Sequence, residues 1–140
     1  MKKLLLLLGC VVLVGCISNE KEAGIQKKLA VYFEMGSNVN LDKNIRMKYI
    51  DSANSIIESN IKEDSSKIKN YFKVANRVFM MMEYEQYKTI SHKIIKIAKA
   101  KNDSLNTAKA EYYLGDYYMA TFKNDSAYYY YLAAEKNIKN

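Results

Sequence analysis

The 140-residue sequence has no proline, one histidine, two cysteines and only five glycines. This scarcity of turn formers argues against sandwiches and barrels, which join many short strands through tight turns. The lone His92 leaves no His/Cys/Asp cluster with the spacing of a metal site, and no glycine-rich loop could hold a phosphate. We therefore predict a protein that is not an enzyme, with no catalytic residue, no metal site and no cofactor.

Both cysteines, Cys10 and Cys16, lie close to the N-terminus. Lys2 and Lys3 precede an apolar run at 4–14, which is shorter than the roughly 20 residues that a membrane-spanning helix needs. The run leads into Leu-Val-Gly-Cys at 13–16, which resembles the lipobox of bacterial lipoproteins. That resemblance implies cleavage after residue 15 and attachment of a lipid to the thiol of Cys16.

Other interpretations of this segment stay open. Leu-Leu-Gly-Cys at 7–10 is a second candidate lipobox with few apolar residues before it. A plain signal peptide or a disulfide between Cys10 and Cys16 would also account for the cysteines. The lipobox predicts a location in the bacterial cell envelope, and Ile17 in place of an acidic residue after Cys16 favours the outer membrane, facing the periplasm or the cell surface.

The chain is basic, with a formal net charge of +7, and loss of Lys2 and Lys3 with the signal segment leaves +5. Basic residues are spread along the chain and mixed with acidic ones, which is typical of solvated helix surfaces. We expect no nucleic-acid partner, because no basic patch is concentrated in one stretch.

Apolar residues recur at helical spacing from residue 41 onward, and Lys-Glu-Asp-Ser at 62–65 and Lys-Asn-Asp-Ser at 101–104 and 123–126 resemble helix starts. The pattern predicts helices over 41–60, 65–82, 84–101, 104–121 and 125–139. It divides the chain into a signal peptide at 1–15, a lipid-anchored tether at 16–40 with a short helix near 25–35, and a helical repeat domain at 41–140.

The stretch 108–140 reads as a helical hairpin joined by a seam of small residues, chiefly Gly115, Ala127 and Ala134. Together with Leu114, Tyr118 and Tyr131, these residues resemble the signature of the tetratricopeptide repeat. Glu111 replaces the early tryptophan of that family, and its closing proline is absent. The resemblance implies an all-α solenoid of helical hairpins.

A second set of residues falls 40 positions earlier, which is six more than the usual 34-residue period. We assign the extra residues to a longer second helix, because 94–98 continues apolar. With 41–60 as half a unit, the chain would hold about two and a half repeats. The matching residues are Val74, Ala75, Val78, Tyr87, Ser91 and Ile94.

In this family the first helices line a concave groove that holds peptides. Aromatic floor residues with lysines beside them suit peptide side chains and carboxylates. The same lysines could be ordinary solvated residues, and the phenylalanines could pack against neighbouring helices. The groove positions that the resemblance implies are Lys69, Phe72, Lys73, Asn76, Phe79, Lys109, Tyr112, Tyr113 and Asp116.

Tyr128, Tyr129, Tyr130 and Tyr131 give the last helix an aromatic surface, which at the end of a solenoid indicates a missing neighbour or a partner. We therefore expect either a fragment of a longer repeat protein or self-association through the C-terminal helix. The leading hypothesis is an exported, lipid-anchored adaptor that binds another protein. The alternatives are the extracytoplasmic sensor region of a histidine kinase or transcriptional regulator, and a structural spacer.

Overall fold

The computed structural model describes residues 22–139, which form six α-helices and no β-strand. Helix α1 covers residues 22–37. The helices that follow are α2 (Lys43–Asn60), α3 (Asp64–Met80), α4 (Tyr84–Ala100), α5 (Ser104–Ala120) and α6 (Asn124–Lys139). The all-α hairpin fold is thus confirmed, and the predicted helices agree closely with the observed ones at each end described.

Packing follows the order of the chain, since α2 packs on α3, α3 on α4, α4 on α5 and α5 on α6. Such an array is quasi-one-dimensional, and each helix pair buries its apolar face against the pair before it. The buried side chains form a continuous cluster that runs from Leu29 in α1 to Tyr117 in α5.

The helices recur at a constant spacing, since α3, α4, α5 and α6 begin at Asp64, Tyr84, Ser104 and Asn124. Helices α3, α4 and α5 each contain 17 residues. The hairpin is therefore longer than usual in both of its helices, and our assignment of the extra residues to the second helix alone was wrong. The apolar run at 94–98 completes a helix of the same length as its partner.

Each of the short turns after α3, α4 and α5 contains a non-glycine residue with positive φ: Met82, Asn102 and Phe122. The same pair of hydrogen bonds closes all three turns. In the first turn, the Met82 amide donates to the Phe79 carbonyl and the Glu83 amide donates to the Val78 carbonyl. This is the Schellman arrangement, in which glycine is usual.

The three start motifs at 62–65, 101–104 and 123–126 each coincide with the start of a helix, although their aspartates take different positions there. Asp103 caps α5 by accepting from the Asn106 amide, and Asp42 caps α2 by accepting from the Asn44 amide. Asp64 and Asp125 lie inside the first turns of α3 and α6 instead. There their charge favours the helix through its dipole.

Helix α1 is part of the packed stack, because Leu29 and Phe33 are buried. The two arginines of the sequence both bind the carbonyl groups at its C-terminal end. Arg46 Nε donates to the Gly36 carbonyl at 3.1 Å, and Arg77 Nε donates to the Phe33 carbonyl at 3.0 Å. Helices α1 and α2 therefore form a hairpin of their own, which extends the repeat array N-terminal to residue 41.

The seam between α5 and α6 is buried as predicted, since Leu114, Gly115, Ala127 and Ala134 all lie in the interior. At Gly115 the nearest atoms across the seam belong to a side chain of α6. A Cβ atom at this position would lie only 2.3–2.9 Å from three ring atoms of Tyr131. Helices α5 and α6 make the most extensive close approach of the described helix pairs, and at Gly115 the Tyr131 ring fills the space between them.

The preceding hairpin has different residues at the two positions that correspond to Gly115 and Tyr131. Ala75 stands at the position of Gly115, and Ser91 stands at the position of Tyr131. Both are buried, and the Ser91 hydroxyl donates to the Tyr87 carbonyl at 2.8 Å. A methyl group on α3 is tolerated there because no ring lies across it.

Gly115→Ala should destabilise the protein even though alanine is the better helix former. Overpacking against the Tyr131 ring costs about 1–3 kcal/mol, whereas the gain in helix propensity is about 1 kcal/mol, so we expect a net loss of about 1 kcal/mol in the free energy of unfolding. Urea unfolding measures the loss.

The matched test is Tyr131→Ser, which recreates the Ala75–Ser91 combination. In that background Gly115→Ala should be neutral or stabilising, so a double-mutant cycle should show coupling of at least about 1 kcal/mol. Equal effects of Gly115→Ala in both backgrounds would rule out the ring contact as the reason for the glycine.

Candidate functional site

Helices α3 and α5, the first helices of their hairpins, lie side by side, and their facing residues form what we call the α3–α5 surface. It is built from Lys69, Phe72, Lys73, Asn76, Lys109 and Tyr113, all of which the repeat resemblance placed in the groove. Lys69 and Asn76 belong to α3 and are exposed, as is Lys109 of α5. The helical spacing of three to four positions places these side chains on one side of each helix.

Phe72 and Tyr113 form the aromatic floor of this surface. Their rings meet edge to face with centroids 5.3 Å apart, and Phe72 is only 7% exposed. The Tyr113 hydroxyl donates to Asn76 Oδ1 at 2.6 Å. This hydrogen bond leaves the exposed amide NH₂ of Asn76 free of the contact with Tyr113, so the group can donate to a ligand.

Two lysines lie over aromatic rings at this surface. Lys109 Nζ lies 4.3 Å from the centroid of the Phe72 ring, and Lys73 Nζ lies 5.5 Å from that of Phe33 on α1. Partial burial lowers the pKa of Lys73, and the nearby charges of Lys69 and Arg77 lower it further. An anion bound here would relieve that repulsion.

Asp116 lies at the C-terminal side of the same surface in a cluster of tyrosines. It is half-buried and accepts a hydrogen bond from the Tyr131 hydroxyl at 2.9 Å. Burial raises the pKa of the Asp116 carboxyl group, and hydrogen bonds from Tyr131 and Tyr87 oppose that rise. Burial and the neighbouring Asp116 raise the pKa of Tyr131 to about 12.

Two of the nine predicted groove residues belong to other environments. Phe79 packs inside its own hairpin, with ring centroids 5.6 Å from Tyr84 and 4.7 Å from Tyr87. Tyr112 turns away from α3 and packs on Tyr131, with centroids 5.0 Å apart. Phe79 thus follows the packing alternative that was left open, and Tyr112 contributes to the end of the stack.

Two residues of the surface were missed. Arg77 stacks over the Phe33 ring with its guanidinium carbon 4.6 Å from the centroid, and Phe33 comes from α1. Arg77 lies one helical turn after Lys73, so helical spacing alone would have included it. Phe33 could be placed only after α1 was known to pack against α3.

Glu111, which stands where the tetratricopeptide signature has tryptophan, has a structural role. Its side chain is buried between α4 and α6, where it forms a salt bridge of 3.2 Å with Lys99 and accepts a hydrogen bond of 2.6 Å from Asn137 Nδ2. Polar contacts to both neighbouring helices thus replace the apolar contacts of a large ring.

Comparison with protein-family models, with curated proteins and with solved structures found no match. Within residues 22–139, no group of three or more His, Cys, Asp or Glu side chains could hold a metal ion. None of the described helices combines the length and apolar character needed to cross a membrane. Cys16 lies outside the described residues.

Asp116→Asn should remove a contribution to the free energy of unfolding that the wild type gains at acidic pH. Because burial raises the folded-state pKa of Asp116 above that of the unfolded chain, the folded protein takes up this proton first as the pH falls. The free energy of unfolding therefore gains a contribution as the pH drops through the folded-state pKa toward the unfolded value of about 3.9, and loses it again as the pH rises.

Urea unfolding at several pH values between about 3.5 and 6 measures this contribution. The difference in stability between wild type and Asp116→Asn should shift in favour of wild type as the pH falls. Asp125→Asn is the control, because Asp125 is exposed on the same hairpin. A constant difference across the range would contradict the assignment.

Proposed function

We propose that the chain is an exported, lipid-anchored adaptor of the tetratricopeptide type, and that its α3–α5 surface binds an acidic or carboxylate-bearing segment of another protein. The observation that supports binding is a group of four cations beside aromatic rings. Lys109 lies over Phe72, Lys73 and Arg77 lie over Phe33, and the charge of Lys69 is close enough to lower the pKa of Lys73. Among the described residues, none of these four takes part in a salt bridge with a carboxylate.

The chemistry of this surface favours a peptide over a small inorganic anion. The cations lie along two helices instead of converging on one point, and the rings of Phe72 and Tyr113 offer apolar contact between them. An extended segment could place acidic side chains or its terminal carboxylate near the lysines and an apolar side chain near the rings. The Asn76 amide supplies a donor for the peptide backbone.

The repeat architecture supports the same proposal. Hairpins of equal helices with buried small residues at 75, 115, 127 and 134 fit the signature that suggested a tetratricopeptide array. Proteins built this way present extended surfaces on the first helices of successive hairpins. The resemblance of residues 13–16 to a lipobox supports the proposed export and lipid anchor.

The binding test uses short fluorescent peptides that vary in net charge and end in either a carboxylate or an amide. We expect acidic peptides with a free carboxylate to bind best, with affinity that falls as salt is added. Lys69→Glu and Lys73→Glu should each weaken binding about tenfold, which corresponds to about 1.4 kcal/mol. Fluorescence anisotropy measures the dissociation constants.

Lys96→Glu is the matched control, because Lys96 is an exposed lysine on α4, a second helix, away from the α3–α5 surface. It should bind the peptides as wild type does, and circular dichroism should show that all variants are folded. Peptide binding that is absent, or that the two surface reversals leave unchanged, would reject the proposed site.

The anchor is tested separately by feeding an alkyne-labelled palmitate to cells that express the chain. Label should enter the wild type and Cys10→Ala but not Cys16→Ala. Loss of label in Cys10→Ala with retention in Cys16→Ala would move the lipid to the second candidate, and no label in any variant would reject the anchor.

A further inference from the structure

An apolar groove lies between α5 and α6 at the C-terminal end of the stack, and we call it the end groove. It has a volume of about 490 Å³. Its lining combines side chains from both helices, chiefly Leu105, Lys109, Tyr112, Tyr131, Glu135 and Ile138. Apart from Lys109 and Glu135, the lining carries no charge.

The equivalent groove on the preceding hairpin is filled. One hairpin earlier in the repeat, the positions of Tyr112 and Ile138 are held by Phe72 and Ala98, and α5 covers them so that they are 7% and 0% exposed. Tyr112 and Ile138 themselves are 52% and 67% exposed. The end groove is therefore a helix-binding face for which residues 22–139 supply no helix.

The exposed apolar area on this face is large. Leu105, Tyr112, Met119, Tyr128 and Ile138 lie on the outward stripes of α5 and α6, and each is more than half exposed. Together they present on the order of 500 Å² of apolar surface, which is at the level that marks interaction sites. One such face with its polar margins approaches the roughly 800 Å² per partner of a standard interface.

We propose that a second copy of this chain covers the end groove, related by a two-fold axis parallel to α5 and α6. This axis lays α6 of one copy antiparallel on α5 of the other and so forms a four-helix bundle. The two partner helices thereby cover the face of α5 and α6 that corresponds to the one α5 covers on α3 and α4.

The charges at the groove margins favour this arrangement. Lys109 and Glu135 lie on opposite margins at the same level, because α5 and α6 are antiparallel about the turn at 121–123. The two-fold axis along the groove brings Lys109 of each copy over Glu135 of the other. A self-complementary face of this kind meets a second copy without like-charge repulsion at its core.

The first experiment is sedimentation equilibrium of the full chain in detergent, at several protein concentrations and with micelles in excess. We expect a reversible dimer. Leu105→Glu and Ile138→Glu should each raise its dissociation constant at least tenfold. Tyr129→Glu should leave the constant unchanged, because Tyr129 is 66% exposed on α6 but does not line the groove.

The second experiment locates the contact. Isotopically light and heavy chains are mixed and treated with a zero-length carbodiimide crosslinker. Mass spectrometry should find Lys109 of one isotope joined to Glu135 of the other. Leu105→Glu should abolish this crosslink without loss of helix content.

A chain that is monomeric at all concentrations, or a dimer that survives Leu105→Glu and Ile138→Glu, would overturn the proposal. A monomer would leave the groove for a helix of a different protein. Neither Leu105 nor Ile138 belongs to the α3–α5 surface, so peptide binding can be measured on the same variants. Loss of the dimer with peptide binding retained would then separate the two proposals.

Discussion

Burial of each helix against the next one in the chain is the constraint on which the rest of the molecule depends. Ile50, Val74, Ile94 and Leu114, from four successive helices, are completely buried. Because helices and turns recur at a constant spacing, the same register positions meet at each interface. The α3–α5 surface and the end groove both follow from that recurrence: one is the place where two first helices lie side by side, and the other is the outward face of the last described hairpin.

Periodicity was enough to predict the helices and the buried seam, because a stripe of apolar and small residues along one side of a helix is buried against a neighbouring helix. It was not enough to say what a small residue accommodates. Gly115 and its neighbours Ala127 and Ala134 suggested close backbones, yet the space at Gly115 belongs to the Tyr131 ring. That outcome depends on a rotamer and on the hydrogen bond from Tyr131 to Asp116, and no spacing rule contains either of them.

The candidate site could likewise be predicted only in part. The repeat resemblance placed Phe72, Asn76 and Tyr113 in a common groove, and Tyr113 contacts both of the others. It placed Phe79 and Tyr112 there as well, but neighbouring aromatic rings of their own hairpins hold them elsewhere. Lys109 contacts Phe72 and also lines the end groove, so occupants of the two surfaces would compete for the same ammonium group.

The arginine contacts of α1 have a mechanical consequence. If the chain is held at its N-terminus, a pull on it reaches the first turn of α1 first and would peel the helix from that end. Arg46 and Arg77 donate hydrogen bonds to the carbonyl groups of Gly36 and Phe33, near the opposite end of the helix. The load would meet these bonds last, so early detachment of the first turns of α1 would leave α2 to α6, the end groove and the Phe33 contacts of the α3–α5 surface in place.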